Sequence, residues 1–316
     1  MLNHRVGSVL ILIACLALTA NAQSDDVARD SYERGRQRFL KGDFDGAIKD
    51  FTRAIEISSR PADDRSGRPD SNGRFEFSGV PASVDRVRLI DPLTAMAYAN
   101  RAVARARKGD AEGALADCDL ALAIDPGLIH AYYNRALVYW FTKDFDLAIS
   151  DLDRVINRNP REAEPYRNRG GVRAEQGQLA RALIDFDQAI ALNPRHAEAY
   201  CDRGEARRKV GEMEGAMADF NRAIEINARM TRAYHGRAGV RKDQNDLIGA
   251  ISDYNRMIEL EPRSATAYGN RGLVQLCLGK DAEAAKDFEQ SKRLDPNISA
   301  SLDQLIREER AVLKRE

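Results

Sequence analysis

Cysteine and tryptophan are scarce in this chain, whose 316 residues include four cysteines and one tryptophan. So few cysteines exclude the dense disulfide framework that small secreted proteins use in place of a large core. The chain also lacks an excess of charge of either sign, because 49 lysines and arginines balance 49 aspartates and glutamates. Nucleic acids attract surfaces with excess positive charge. We therefore expect no nucleic acid partner.

Motifs that carry chemistry are missing as well. The sequence contains no Gly-Lys-Ser/Thr phosphate loop, no His-Glu-x-x-His, no paired Cys-x-x-Cys and no Gly-x-Ser-x-Gly. Cys201 and His235 occupy equivalent places in a repeating pattern and could face each other, but two ligands do not complete a zinc site. The sequence thus predicts no enzymatic activity, no metal and no cofactor.

A long apolar run occurs only near the start of the chain. Residues 1–22 combine a short basic start, an uncharged run and a small-residue end, which is typical of a secretory signal peptide cleaved after Ala22. The run is shorter than the roughly 20 residues that span a membrane, so we expect no membrane span and a periplasmic or secreted protein. The alternative is a lipid anchor at Cys15, since residues 12–15 are similar to a bacterial lipobox.

What the chain does contain is a 34-residue repeat. Repeat 1 covers residues 28–61, and repeats 2 to 7 follow one another over residues 95–298. Within each block, numbered from position 1 to 34, a small residue recurs at position 8, and Tyr recurs at position 4 except in repeat 1, where Ser31 stands there and Tyr32 follows. Ala occupies position 20 and a large apolar residue position 24, although Cys118 stands there in repeat 2. Such a period indicates an elongated array of helical units rather than separate globular domains.

Each block divides into two helical patterns joined by a turn, here named helix A and helix B, and most blocks end at proline, which stops a helix. Repeat 4 shows the pattern in full with Tyr166, Gly170, Ala182, Phe186 and Pro194. This pattern resembles the tetratricopeptide repeat family. The resemblance implies an all-α fold in which tandem helix-turn-helix repeats form a right-handed α-solenoid. It also implies a concave groove, lined by the A helices, that binds a peptide or helix of another protein.

Two positions depart from the usual pattern of that family. Position 7 is Arg where the family usually has Leu, and position 23 is Asp, in all seven repeats. Because the two residues recur together, they predict an ion pair that fixes helix A on helix B. The alternative is a ladder of arginines for an acidic ligand.

Two segments lie outside the repeats. Residues 62–94 form an irregular insertion rich in Asp, Arg, Ser, Gly and Pro, which indicates either a surface loop or a docking element at the end of the groove. Residues 299–316 predict a capping helix that covers the last repeat. Its predicted packing face consists of apolar side chains: Leu302, Leu305, Ile306, Val312 and Leu313.

Candidate partner-binding residues follow from the resemblance, in which positions 2, 5, 9, 12 and 13 face the ligand. Repeat 3 places an apolar stripe there, formed by Tyr133, Leu137, Trp140 and Phe141. Later repeats supply basic residues, among them Arg167, Arg208 and Lys242. The groove is therefore expected to run from an aromatic patch to a mainly basic stretch. The alternative is that Trp140 and Phe141 pack against the next repeat.

These observations predict an exported protein-protein interaction scaffold that acts as an adaptor or assembly factor of the cell envelope. The alternative function is a regulatory or targeting subunit of an enzyme that resides on a separate chain.

Overall fold

The structure, a computed structural model, describes residues 25–59 and 92–313. Those residues form fifteen α-helices and one short 3-10 helix, and they include no strand, so the predicted all-α repeat fold is confirmed. The predicted signal peptide, Cys15 and residues 62–91 of the predicted insertion lie outside the described residues. The chain divides into two compact units, Met1–Pro160 and Arg161–Glu316.

The first unit contains the helices of repeats 1 to 3. They are α1 (25–40), α2 (Phe44–Ser58), α3 (Pro92–Arg107), α4 (Ala111–Ile124), α5 (Ile129–Thr142) and α6 (Phe145–Arg158). Odd-numbered helices are A helices and even-numbered ones are B helices. Helix α3 begins at the proline that closes the irregular segment, where the fixed φ of proline suits a first helical turn.

The second unit contains repeats 4 to 7 and the last helix. Its helices are α7 (Ala163–Glu175), α8 (Leu179–Leu192), α9 (Ala197–Lys209), α10 (Met213–Ile226), α11 (Thr231–Asp243), α12 (Leu247–Leu260), α13 (Ala265–Cys277), α14 (Asp281–Leu294) and α15 (Ser299–Leu313). The 3-10 helix Pro296–Ile298 precedes α15. The A helices of repeats 4 to 7 begin at intervals of 34 residues, which is the period of the sequence.

Position 15 of every repeat turns the chain from helix A to helix B with a left-handed backbone. The residues there have φ between 61° and 87° and are Gly42, Gly109, Lys143, Gly177, Gly211, Asn245 and Gly279. Glycine adopts this conformation without a steric penalty, whereas the Cβ of any other residue raises the conformational energy there. Five of the seven turns therefore carry glycine, and Lys143 is the most costly exception.

The core of each repeat lies where helix A meets helix B. Alanine at position 20 is at most 1% exposed in all seven repeats, and the ring of Phe186 at position 24 is equally buried. A Cβ on Gly170, at position 8, would lie 2.7 Å from that ring, so only a small residue fits there. Cys118 is fully buried beside Ala102 and Ala114, as expected of a small residue that replaces phenylalanine.

Helix α15 packs on the last repeat through a narrower face than the sequence predicts. Leu302 is buried and Ile306 is partly buried against Leu273, Leu276 and Phe288. Leu305 is 46% exposed, so the prediction that it packs is wrong. The face of α15 that contacts the last repeat runs through residues 302, 306 and 309. Leu305 lies at the edge of this face, toward solvent. The side chains of Val312 and Leu313 lie outside the described residues.

Candidate functional site

The arginines at position 7 and the aspartates at position 23 form an ion pair in every repeat. The pairs, with N to O distances of 2.6 to 2.8 Å, are Arg34 with Asp50, Arg101 with Asp117, Arg135 with Asp151, Arg169 with Asp185, Arg203 with Asp219, Arg237 with Asp253, and Arg271 with Asp287. The aspartate side chains are 1 to 9% exposed. The predicted structural ion pair is confirmed, and these guanidiniums are engaged within the repeat.

A second arginine shares the aspartate in five repeats, which the sequence reasoning missed. These arginines stand at position 11 and are Arg38, Arg105, Arg173, Arg207 and Arg241. Their Nη atoms lie 2.7 to 3.1 Å from the aspartate. The sequence signal for this second arginine is its recurrence four residues after position 7, because that spacing places both side chains on one helical face. Repeats 3 and 7 have Tyr139 and Gln275 there instead.

The arginine at position 7 also joins neighbouring repeats. In repeats 2, 3, 5, 6 and 7 its Nη1 donates to the polar side chain at position 25 of the preceding repeat, as Arg203 does to Asp187 at 2.6 Å and Arg237 to Asn221 at 2.7 Å. In repeats 2 to 7 its guanidinium carbon lies 5.2 to 5.6 Å from the ring centre of the tyrosine at position 4. One guanidinium thus fixes helix A, helix B and the repeat before it.

Neighbouring A helices lie side by side within each unit and form the candidate binding surface. In the first unit Asn134 Nδ2 donates to the carbonyl of Ala99 at 3.1 Å, joining α5 to α3. In the second unit Arg167 donates to Asp202 at 2.9 Å, joining α7 to α9. These bonds link position 5 of one repeat to position 6 of the next, so equivalent side chains of consecutive repeats stand in rows across the A helices.

Helix α5 carries the predicted aromatic patch, and its members differ in exposure. Phe141 is 76% exposed, whereas Tyr133, Leu137 and Trp140 are half-buried. At position 12, where Trp140 stands, Phe39 packs against helix α2 of its own repeat and lies 5.4 Å from the Phe44 ring. A half-buried Trp140 suits both packing within the repeat and contact with a partner. Phe141, at position 13, is the residue of the patch that presents most of its apolar surface to solvent.

The predicted basic residues all have acidic partners. Arg167 binds Glu164 and Asp202, and Arg208 lies 3.2 Å from Asp243. Lys242 Nζ lies 2.9 Å from Glu309 of α15. At these three positions the second unit therefore presents paired charges rather than free positive charge.

The Glu164 carboxylate shows how closely these charges are coupled. It also accepts a hydrogen bond from His196 Nε2 at 2.7 Å, which ties α7 to the start of α9. Burial raises the pKa of Glu164, but the hydrogen bonds and charges of Arg167 and His196 outweigh burial and hold that pKa below its ordinary value. Glu164 is therefore ionised at neutral pH and remains a partner of Arg167.

The cysteines do not form a metal site with their neighbours in the part of the chain that the structure describes. No group of three His, Cys, Asp or Glu residues there is arranged to hold a metal ion. Burial raises the pKa of the Cys201 thiol to about 12, which disfavours the thiolate that a metal requires. The described helices also include none that is long and apolar enough to cross a membrane.

Comparisons with known proteins agree with this architecture. The sequence model of the tetratricopeptide repeat family matches residues 82–129, 133–190, 173–230 and 237–297 of this chain. A tetratricopeptide repeat protein from Parabacteroides merdae is 20% identical, with 89% of this chain and 98% of that chain covered and a TM-score of 0.64.

Two further solved structures have the same fold. The pilus biogenesis factor PilW is 22% identical over 67% of this chain and 98% of its own, with a TM-score of 0.60. PilF of Pseudomonas aeruginosa is 20% identical over 71% and 99%, with a TM-score of 0.58. No curated protein matches the chain in sequence. Because the family model covers well over half of its residues, the chain belongs to the tetratricopeptide repeat family.

Proposed function

We propose that this protein binds a segment of a partner protein across the A helices of its first unit. The tetratricopeptide fold is that of a protein-protein interaction scaffold, and members of the family are generally not enzymes. The observation that carries the proposal is the exposed Phe141, which stands on one stripe of α5 with the half-buried Tyr133 and Leu137. A phenyl ring left in water contributes nothing to folding, whereas aromatic anchors contribute strongly to binding.

A displayed peptide library, selected against the purified protein, supplies probes for this surface. We expect Phe141→Ala to weaken the binding free energy of the selected peptides by about 2 kcal/mol while the fold is retained. Trp140→Ala should weaken peptide binding by a similar amount if the Trp140 ring contacts the peptide. Leu147→Ala is the matched control, because Leu147 is 51% exposed but lies on helix B of the same repeat. Equal losses for Phe141→Ala and Leu147→Ala would refute a site on the A helices.

The cellular role that we propose is an adaptor or assembly factor of the cell envelope. It is supported by the signal-peptide pattern of residues 1–22. A mass spectrum of protein isolated from the envelope should show a chain that begins at Gln23. An acylated Cys15 at the N-terminus would instead establish the tethered alternative.

The second candidate role, a regulatory or targeting subunit, differs in its partner. It predicts recovery of one stoichiometric enzyme on purification, whereas an adaptor should recover envelope components. The paired charges of Arg167, Arg208 and Lys242 in the second unit are equally compatible with both roles.

A further inference from the structure

The position-13 residues of the first unit form a row with a distinct chemistry. They are Leu40, Arg107 and Phe141, and each lies near the end of an A helix. Leu40 is 74% exposed and Phe141 is 76% exposed, and Arg107 between them is exposed as well. Two large apolar side chains therefore flank a guanidinium, and all three are open to solvent.

The helices that carry this row stand in consecutive positions. Asn100 of α3 donates to the Tyr32 hydroxyl of α1 at 2.8 Å, and Asn134 of α5 donates to the Ala99 carbonyl of α3. Near the ends of the helices, Lys108 pairs with Asp45 of the preceding repeat. Packed helices lie about 8 to 10 Å apart, so Leu40 and Phe141 are separated by about 16 to 20 Å.

The lack of an ion pair distinguishes Arg107 from the other two arginines of its own helix, α3. Arg101 and Arg105, on the same helix, both bind Asp117. Within residues 25–59 and 92–313, no carboxylate lies within ion-pair distance of Arg107. Its guanidinium thus remains available for a carboxylate from outside, and a guanidinium binds a carboxylate with two parallel hydrogen bonds.

Position 13 in the second unit lacks this combination. The equivalent residues there are Glu175, Lys209, Asp243 and Cys277. Asp243 pairs with Arg208, and the Cys277 thiol donates to Glu309 of α15. No pair of apolar anchors flanks a charge in this row, so the chemistry of the first unit does not simply follow from the repeat.

We infer that the row Leu40, Arg107 and Phe141 binds a partner segment in which a carboxylate lies midway between two large apolar side chains. This inference rests on the proposed function and adds the chemistry of the partner. In a polyproline II segment, which rises about 3.1 Å per residue with three residues per turn, two apolar residues six positions apart lie on one side and span about 19 Å. The acidic residue stands near the centre of that interval and pairs with Arg107.

The selected peptides and charge reversal test this inference. We expect an acidic residue to be enriched between two apolar residues, and Arg107→Glu to raise the Kd of such peptides by about tenfold or more. A peptide with Lys in place of its acidic residue should bind Arg107→Glu better than it binds the wild-type protein. Leu40→Ser and Phe141→Ser should each weaken binding. The matched control is Lys209→Glu, which reverses an exposed position-13 charge in the second unit and should leave the Kd unchanged.

The remaining outcomes separate this inference from the proposed function. Peptides that depend on Phe141, Leu137 and Tyr133 but not on Leu40 and Arg107 would overturn the inference and keep the function. The absence of any peptide that depends on these A-helix residues would overturn both. Self-association in sedimentation velocity that Leu40→Ser and Phe141→Ser abolish would overturn the inference in favour of a second copy of the chain.

Discussion

Single residues at the turns carry part of the stability of this array. Lys143 adopts φ 67° at a position where five other repeats have glycine. We expect Lys143→Gly to stabilise the protein by about 0.5 to 1 kcal/mol, because the Cβ is removed from a left-handed backbone. The reverse change, Gly177→Lys, should destabilise it by about 1 kcal/mol. Urea unfolding midpoints measure both changes.

The control for the turn is Lys41→Gly. Lys41 directly precedes the left-handed Gly42 and is not among the residues with positive φ. Glycine there should give no stabilisation, since no left-handed strain is relieved. A stabilisation by Lys41→Gly equal to that by Lys143→Gly would show that the backbone conformation is not the cause.

The shared aspartates differ in how many arginines they hold, which predicts unequal costs of substitution. Asp185 binds both Arg169 and Arg173, whereas Asp287 binds Arg271 and has Gln275 in the second place. Each substitution should destabilise the protein by about 1 to 4 kcal/mol. Within that range, Asp185→Asn should cost about 1 kcal/mol more than Asp287→Asn, because it leaves two arginines unpaired rather than one. Urea denaturation of the two variants provides the comparison.

A double-mutant cycle tests the pair directly. The combined loss from Arg169→Ala and Asp185→Ala should be smaller than the sum of the single losses, because each single change leaves charge unpaired. The double variant still leaves Arg173 without its aspartate, so some cost should remain. Additive losses would show that Arg169 and Asp185 do not interact.

At the scale of helices, the Glu309 carboxylate joins α15 to two A helices, α11 and α13. Glu309 accepts hydrogen bonds from Lys242 Nζ at 2.9 Å and from the Cys277 thiol at 2.8 Å. Burial and the Glu309 carboxylate together raise the pKa of Cys277 to about 11. The raised pKa lowers the population of the Cys277 thiolate at pH 8, and alkylation is slow because the thiolate is the nucleophile.

We therefore expect Glu309→Ala to accelerate alkylation of Cys277 by about tenfold or more at pH 8, as followed by iodoacetamide labelling and peptide mapping. Glu308→Ala is the control, because Glu308 is exposed and bonds with Gln304. Cys118 and Cys201 should stay unlabelled in folded protein, since both are buried. The same labelling rate for the two glutamate variants would contradict the attachment of α15 through Glu309.

The helices can be predicted well from the sequence because they follow a period. The recurrence of residues at positions 4, 8, 20 and 24 identifies the helix pairs, and the recurrence of Arg and Asp identifies their ion pair. The period does not predict that Lys242 pairs with Glu309, because those residues lie 67 positions apart and belong to different elements. The prediction for Leu305 is wrong because a helical stripe does not define how far the packed face extends.

At the scale of the whole chain, the two units offer different surfaces. The A helices of the first unit end in exposed Leu40 and Phe141, whereas those of the second unit carry acids and bases that pair with each other. A partner that needs apolar anchors is thus expected to prefer the first unit. Pairing of Arg167, Arg208 and Lys242 reduces the charge available for long-range attraction of an acidic partner.

Residue-resolved photocrosslinking tests the central claim, that a partner binds across the A helices of the first unit. A photoreactive phenylalanine is placed at 40, 137 or 141, and at the control positions 120 and 147, where exposed leucines lie on B helices. Each variant is expressed in the native cell and irradiated. We expect one crosslinked partner from the first three positions and none from the two controls. Equal crosslinking from the B-helix positions, or crosslinking from those positions alone, would contradict it.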